Sequence, residues 1–169
     1  MRYRHPFTIW ILILVGNILS GISSWAKSPI EFNAGFESVY LRSELEFLED
    51  PSGSMTFERL LSAENQSRFQ PNGAKVFNQG NTSSVYWLRF SVANSTANSI
   101  PLIFSIENLY GSLELFGMKK TGEGFSVFKK SARQLVKEGG TTWDLQNTAI
   151  GVDANQQTDY YLRIEPNLI

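Results

Sequence analysis

Cysteine is absent from the 169 residues and histidine occurs once, as His5. Without thiols there is no disulfide framework, no cysteine nucleophile and no Cys/His zinc site, so a packed core has to hold the fold alone. Charge is also sparse: 15 basic against 16 acidic residues leave a formal net charge of −1, and no basic stripe offers itself to nucleic acid. The chain has no long apolar run either. Residues 7–15 are apolar but fall short of the roughly 20 needed to cross a bilayer, and Asn17 breaks the run two positions later.

That short run is framed by Arg2 and Arg4 before it and by the small-residue stretch Ser20-Gly21-Ile22-Ser23-Ser24-Trp25-Ala26 after it. This is the three-part layout of a secretory signal peptide, with small residues Ser24 and Ala26 placing the cut between Ala26 and Lys27. Removal would take His5 and two arginines with it and bring the formal charge to −3. A mature chain without histidine excludes a Ser-His-Asp triad. The expected division is a signal peptide over 1–26, a lead-in over 27–44 and one exported, periplasmic domain over 45–169.

What is present is a succession of short apolar runs separated by turn residues. Alternation predicts one or two strands within 37–48, then strands over 75–78, 84–92, 100–106, 112–118, 125–130, 148–152 and 158–164. Asp50-Pro51-Ser52-Gly53 reads as a turn, with proline fixing φ and glycine free to take positive φ. A short helix is expected over 57–61, where Thr56 can cap and Glu58 sits in the first turn. Many short strands with helix only near the start predict an all-β, antiparallel sandwich.

Within this pattern two strands repeat one device. Trp87 and Arg89 alternate with Tyr86, Leu88 and Phe90, while Tyr161 and Arg163 alternate with Tyr160, Leu162 and Ile164. An aromatic ring beside a guanidinium suits a flat polar ligand, since the ring stacks while arginine supplies a fixed fork of donors. Trp87, Arg89, Tyr161 and Arg163 are therefore the candidate ligand-binding residues, with Tyr86, Leu88 and Phe90 facing the core. The competing reading is structural: Trp87 packs under a loop and Arg89 satisfies carbonyls or an acid such as Glu107. Trp143, near Asp144, is a weaker candidate of the same kind and reads better as an anchor at the sandwich edge.

The segments Leu48-Glu49-Asp50-Pro51-Ser52-Gly53-Ser54-Met55-Thr56, Arg68-Phe69, Ser83-Ser84-Val85-Tyr86-Trp87-Leu88-Arg89-Phe90 and Tyr160-Tyr161-Leu162-Arg163-Ile164 together resemble one bacterial sensor family. It is the extracellular domain 2 of seven-transmembrane receptors with diverse intracellular signalling modules. The resemblance implies a jelly-roll sandwich like that of carbohydrate-binding modules, sensing a periplasmic ligand, often presumed to be a carbohydrate. It also implies a membrane receptor as the partner. The transmembrane and output modules of that family are not in this sequence, which leaves two readings: a piece of a longer receptor, or an exported domain that acts through a partner.

Other chemistry finds less support. Glu44, Glu46, Glu49 and Asp50 could suggest a glycosidase pair, but Glu44 and Glu46 alternate with Leu45 and Phe47 as the solvent face of an edge strand does. Residues 153–159 open like a calcium loop yet lack its glycine and closing glutamate. No enzyme activity, cofactor or metal is expected. The partners expected are a small-molecule or glycan ligand and the receptor, with a homodimer contact as the alternative role of the sandwich.

Overall fold

The computed structural model describes residues 28–33, 38–73, 76–106, 111–121, 124–133 and 146–166, with the backbone alone at 105–106, 130–133 and 146–149. The expected leader 1–26 and the residues Glu107, Trp143 and Asp144 lie outside them. In chain order the elements are β1 (Ile30–Phe32), β2 (Glu46–Asp50), α1 (Phe57–Leu60), α2 (Ala63–Gln66), β3 (Gln70–Pro71), β4 (Val85–Asn94), β5 (Ile100–Ile106), β6 (Gly111–Thr121), β7 (Gly124–Arg133), β8 (Gln146–Val152) and β9 (Gln156–Pro166).

The architecture is an all-β sandwich. One sheet runs β3-β2-β4-β9-β6-β7, with β1 added beside the far end of β4, and the second sheet is the pair β5-β8. All pairings are antiparallel except β1 with β4, where Ile30 lies against Val92 and Phe32 against Asn94. Phe32 is buried there, so the sandwich takes in part of the segment read as a lead-in.

Between the sheets the core follows the period of two. Leu88, Phe90 and Val92 of β4, Tyr160 and Leu162 of β9, and Leu113 and Leu115 of β6 meet Ile150 and Val152 of β8, with Ile100, Leu102 and Phe104 of β5 beside them. Phe90 stacks between Phe104 and Tyr160, at centroid distances of 5.8 and 5.3 Å. The expected core role of Tyr86, Leu88 and Phe90 is met, since all three are buried. Gly117 belongs to this face for a steric reason: a β-carbon there would lie 2.2 Å from the ring of Phe128.

One expectation needs correction. Residues 76–80 carry no strand. Phe77 instead lays its ring on Phe47 and Tyr86, at 5.6 and 5.7 Å, and Gly80 turns the chain at a φ of +68°. Of the one or two strands expected around 37–48, one is found, β2, which ends at the Asp50 turn. The described residues before Glu46 form no strand, and Leu45 enters the core from a turn closed by Leu45 N–H to the Arg42 carbonyl.

The second face of the large sheet is also covered, which a simple in-and-out alternation does not foresee. Leu48, Val85, Trp87, Phe116, Met118 and Tyr161 pack under Phe57 and Leu60 of α1 and under Phe69. Covered on both sides, β4 is a nearly continuous buried strand.

Candidate functional site

The four sequence candidates are brought together by strand register. Across the β4–β9 ladder Trp87 stands directly opposite Arg163 and Arg89 opposite Tyr161, so rings and guanidinium groups interleave on one sheet face. On the other side of β4, Leu48 faces Trp87 and Glu46 faces Arg89. One row of cross-strand neighbours thus reads Glu46, Arg89, Tyr161, Phe116, Lys129.

The middle of this face is roofed over rather than open, while Lys129 at the end of the row is exposed. Trp87 has no exposed surface, and Arg89 and Tyr161 retain 4% and 5%. The roof begins at the turn after β2. There Gly53 takes φ +63° and donates to the Asp50 carbonyl, and the buried Asp50 carboxylate accepts from Ser52 Oγ at 2.7 Å and Met55 N–H at 2.8 Å. Burial pushes the Asp50 carboxyl up, but these hydrogen bonds outweigh it and hold it below its usual value. Next comes α1, capped by Thr56, whose side chain accepts from Arg59 N–H, and Phe57 stacks on Phe116 at 4.4 Å and meets Tyr161 edge-on at 5.5 Å. Trp87 lies beneath, with Phe57 and Phe116 as ring neighbours, and its indole N–H has no hydrogen-bond partner among the described residues.

Arg89 is the polar centre. Its Nε donates to Glu46 Oε2 at 2.7 Å, in an ion pair whose side chains are 5% and 15% exposed. Its Nη1 donates to the Gln66 side-chain oxygen at 2.8 Å and to the Gln66 carbonyl at 3.3 Å. The guanidinium also lies over Phe69, 4.2 Å from the ring centroid. Tyr161 Oη donates to the same Gln66 oxygen at 3.3 Å, and burial, aided by the Asp159 charge and opposed by Arg89, pushes its phenol up to about 12. The acid that meets Arg89 is therefore Glu46, which sequence alternation had assigned to a solvent face.

Arg163 works at the border. Its Nη2 donates to the Gly53 carbonyl at 3.1 Å and its Nη1 pairs with Glu165 at 2.7 Å, so it pins the turn to β9. Glu46, Gln66 and Phe69 were not among the sequence candidates. For Phe69 the adjacent Arg68-Phe69 motif was a signal; Glu46 and Gln66 depend on which strand and helix land above Arg89, and nothing local marks that.

A concavity of about 480 Å³ lies elsewhere, between Lys119, Lys120, Ser126, Asp153 and Gln156. It contains none of the candidates. Lys119 and Asp153 neutralise each other at 2.9 Å, and its walls offer no aromatic surface on which a sugar could stack.

Among the described residues no helix is long and apolar enough to cross a membrane. No curated protein matches the chain. Residues 42–168 do match a family, the one described as 7TMR-DISM extracellular 2, and this span takes in every element from β2 to β9 together with the covered Arg89 junction. The chain belongs to that family and is an extracellular domain of the receptor type it names.

Proposed function

We propose that the domain is the ligand-sensing part of a bacterial receptor, that it binds without turnover, and that its ligand is a hydroxylated small molecule or glycan taken at the Arg89–Tyr161 face. One observation carries the reading: Arg89 Nη1 and Tyr161 Oη converge on a single oxygen, Gln66 Oε1, beside the ring of Phe69. Two donors aimed at one acceptor next to an aromatic face suit a sugar hydroxyl, or a carboxylate on an acidic sugar. Arg89 and Tyr161 would touch the ligand, Trp87 would form the floor, and Arg163 would hold the bordering turn.

The test is a glycan array followed by calorimetry on the parent and on Arg89→Lys, which keeps the charge but loses the planar fork. Weaker binding by a folded Arg89→Lys protein is expected. Unchanged binding by that protein would place the ligand elsewhere. Export through a leader cut after Ala26 is part of the same proposal, and N-terminal sequencing of the periplasmic species should begin at Lys27. Recovery of an intact Met1 form in the membrane fraction would refute the cut.

A second reading, self-association, is favoured by Phe125 and Val127, which stand 43% and 51% exposed on the outermost strand β7. Antiparallel pairing of two copies about Val127 would set Phe125 of one against Lys129 of the other and keep like charges apart. Light scattering decides it: a dimer that Val127→Lys dissolves supports this reading, and a parent that stays monomeric as concentration rises removes it.

A further inference from the structure

The two helices of the roof are attached by different forces. α1 buries Phe57 and Leu60 and stacks on Phe116, so lifting it would expose apolar core. α2 buries none of its residues. What ties it to the sheet is Gln66, whose two oxygens accept from Arg89 and whose side-chain oxygen also accepts from Tyr161. Its links to α1 are polar too: Gln66 Nε2 donates to the Leu60 carbonyl at 2.8 Å and Asn65 Nδ2 to the Arg59 carbonyl at 2.8 Å.

A segment held by hydrogen bonds and little burial opens more readily than one held by a core. Opening it with nothing in its place would strip Arg89 Nη1 and the Tyr161 hydroxyl of the Gln66 oxygens. Opening it as another acceptor arrives exchanges like for like, and a ligand that binds the open state shifts the population toward it.

We infer that α2 is a hinged cap over the Arg89–Tyr161 site, and that the Gln66 side-chain amide fills, in the closed form, the place that a ligand carbonyl, carboxylate or hydroxyl oxygen takes in the open one. The inference rests on the site proposed above and adds how that site is gated. The moving segment is Ser62 to Arg68, hinged at Leu61–Ser62 and bounded beyond by Phe69, which stays buried against Tyr161 and Arg89. α1 and Trp87 stay in place.

Two measurements test it, and neither needs the natural ligand. In the parent, the amides of Gln66, Ser67 and Arg68 should exchange with solvent about tenfold or more faster than those of Leu60 and Leu61. In Gln66→Ala, the deleted atoms correspond to acetamide, so acetamide should raise the melting temperature of this variant saturably while leaving the parent unmoved. Equal protection across both helices in the parent would overturn the hinged cap, as would an acetamide effect of the same size in both proteins. The exchange experiment stands even if Gln66→Ala does not fold. A rigid α2 would leave ligand sensing by the domain intact, and a failed glycan screen would leave the exchange result intact.

Discussion

Breaking the Glu46–Arg89 pair is the sharpest probe of the covered face. At 2.7 Å the gross attraction is about 6 kcal/mol for an effective dielectric near 20. Against it stands a desolvation cost of several kcal/mol per ion, borne nearly in full because only 5% and 15% of the two side chains reach water. The net worth of the pair is therefore small beside the cost of orphaning either member. Glu46→Gln leaves the guanidinium on the Gln66 oxygens and the Phe69 ring, which should limit the loss to about 2–4 kcal/mol. Arg89→Met strands the largely buried Glu46 carboxylate and should cost about 3–5 kcal/mol.

The double variant separates the pair from its surroundings. If the charges are coupled as the geometry requires, it should be more stable than the sum of the single losses by about 1.5–3 kcal/mol. Urea unfolding of all four proteins at pH 7 gives the cycle, provided the slopes agree. Raising the salt should change the coupling little, since the pair is shielded from counterions. A coupling below about 0.5 kcal/mol would refute the reasoning and make the contact an ordinary solvent-screened one.

Leu88→Ala, between the two sheets, should lose about 2–5 kcal/mol in urea unfolding, and a loss under about 1 kcal/mol would mean that this face is not packed as described. Gly117→Ala should lower stability by about 1–3 kcal/mol because its methyl would displace the Phe128 ring, and adding Phe128→Leu should return part of it, as thermal melts can show. At alkaline pH the signs come from burial: Tyr161 is pushed up to about 12 in the folded protein against about 10 unfolded, so its contribution is complete below pH 10 and lost as the pH rises to 12. Tyr161→Phe should flatten that limb by of order 2–3 kcal/mol in urea titrations at stepped pH, and an unchanged limb would contradict a buried phenol.

Much of the fold was legible because strands advertise themselves by period. The limits of β5 were expected as found, and those of β6, β7, β8 and β9 within a few residues, because turn residues such as Asn155 and Gly124, both at positive φ, punctuate the chain. Phe77 misled because a short apolar pair, Val76-Phe77, between polar residues looks like a strand, whereas here Val76 is exposed and one ring, Phe77, packs on Phe47 and Tyr86 from a loop. For the site, alternation told correctly which side chains share a face. It could not tell whether that face is covered, since the roof is supplied by a helical segment some 20 to 30 positions upstream. Glu46 meets Arg89 across 43 positions, through a register that exists only once β2 has paired with β4. Ser62, which caps α2 by accepting from Asn65 N–H, was the one local sign that a second helix succeeds the first.

The two faces of β9 differ in a way that bears on the proposal that sensing takes place on one side of this sheet. Tyr160 points between the sheets into a layer dominated by apolar side chains, stacked on Phe90 and set edge-on to Phe128, where displacement exposes core. Tyr161, one residue on, points into a layer that mixes rings with an arginine, a glutamate and a glutamine, and the group above it is attached by hydrogen bonds that another acceptor can replace. A sensor needs two arrangements close enough in free energy for a ligand's differential affinity to choose between them. Dense apolar packing makes the first face bistable only at great cost, whereas exchange of one oxygen for another over Arg89 costs little. On that proposal the asymmetry divides the parts: Leu88, Phe90 and Tyr160 hold the domain together, and Arg89, Tyr161 and Gln66 are where it would respond.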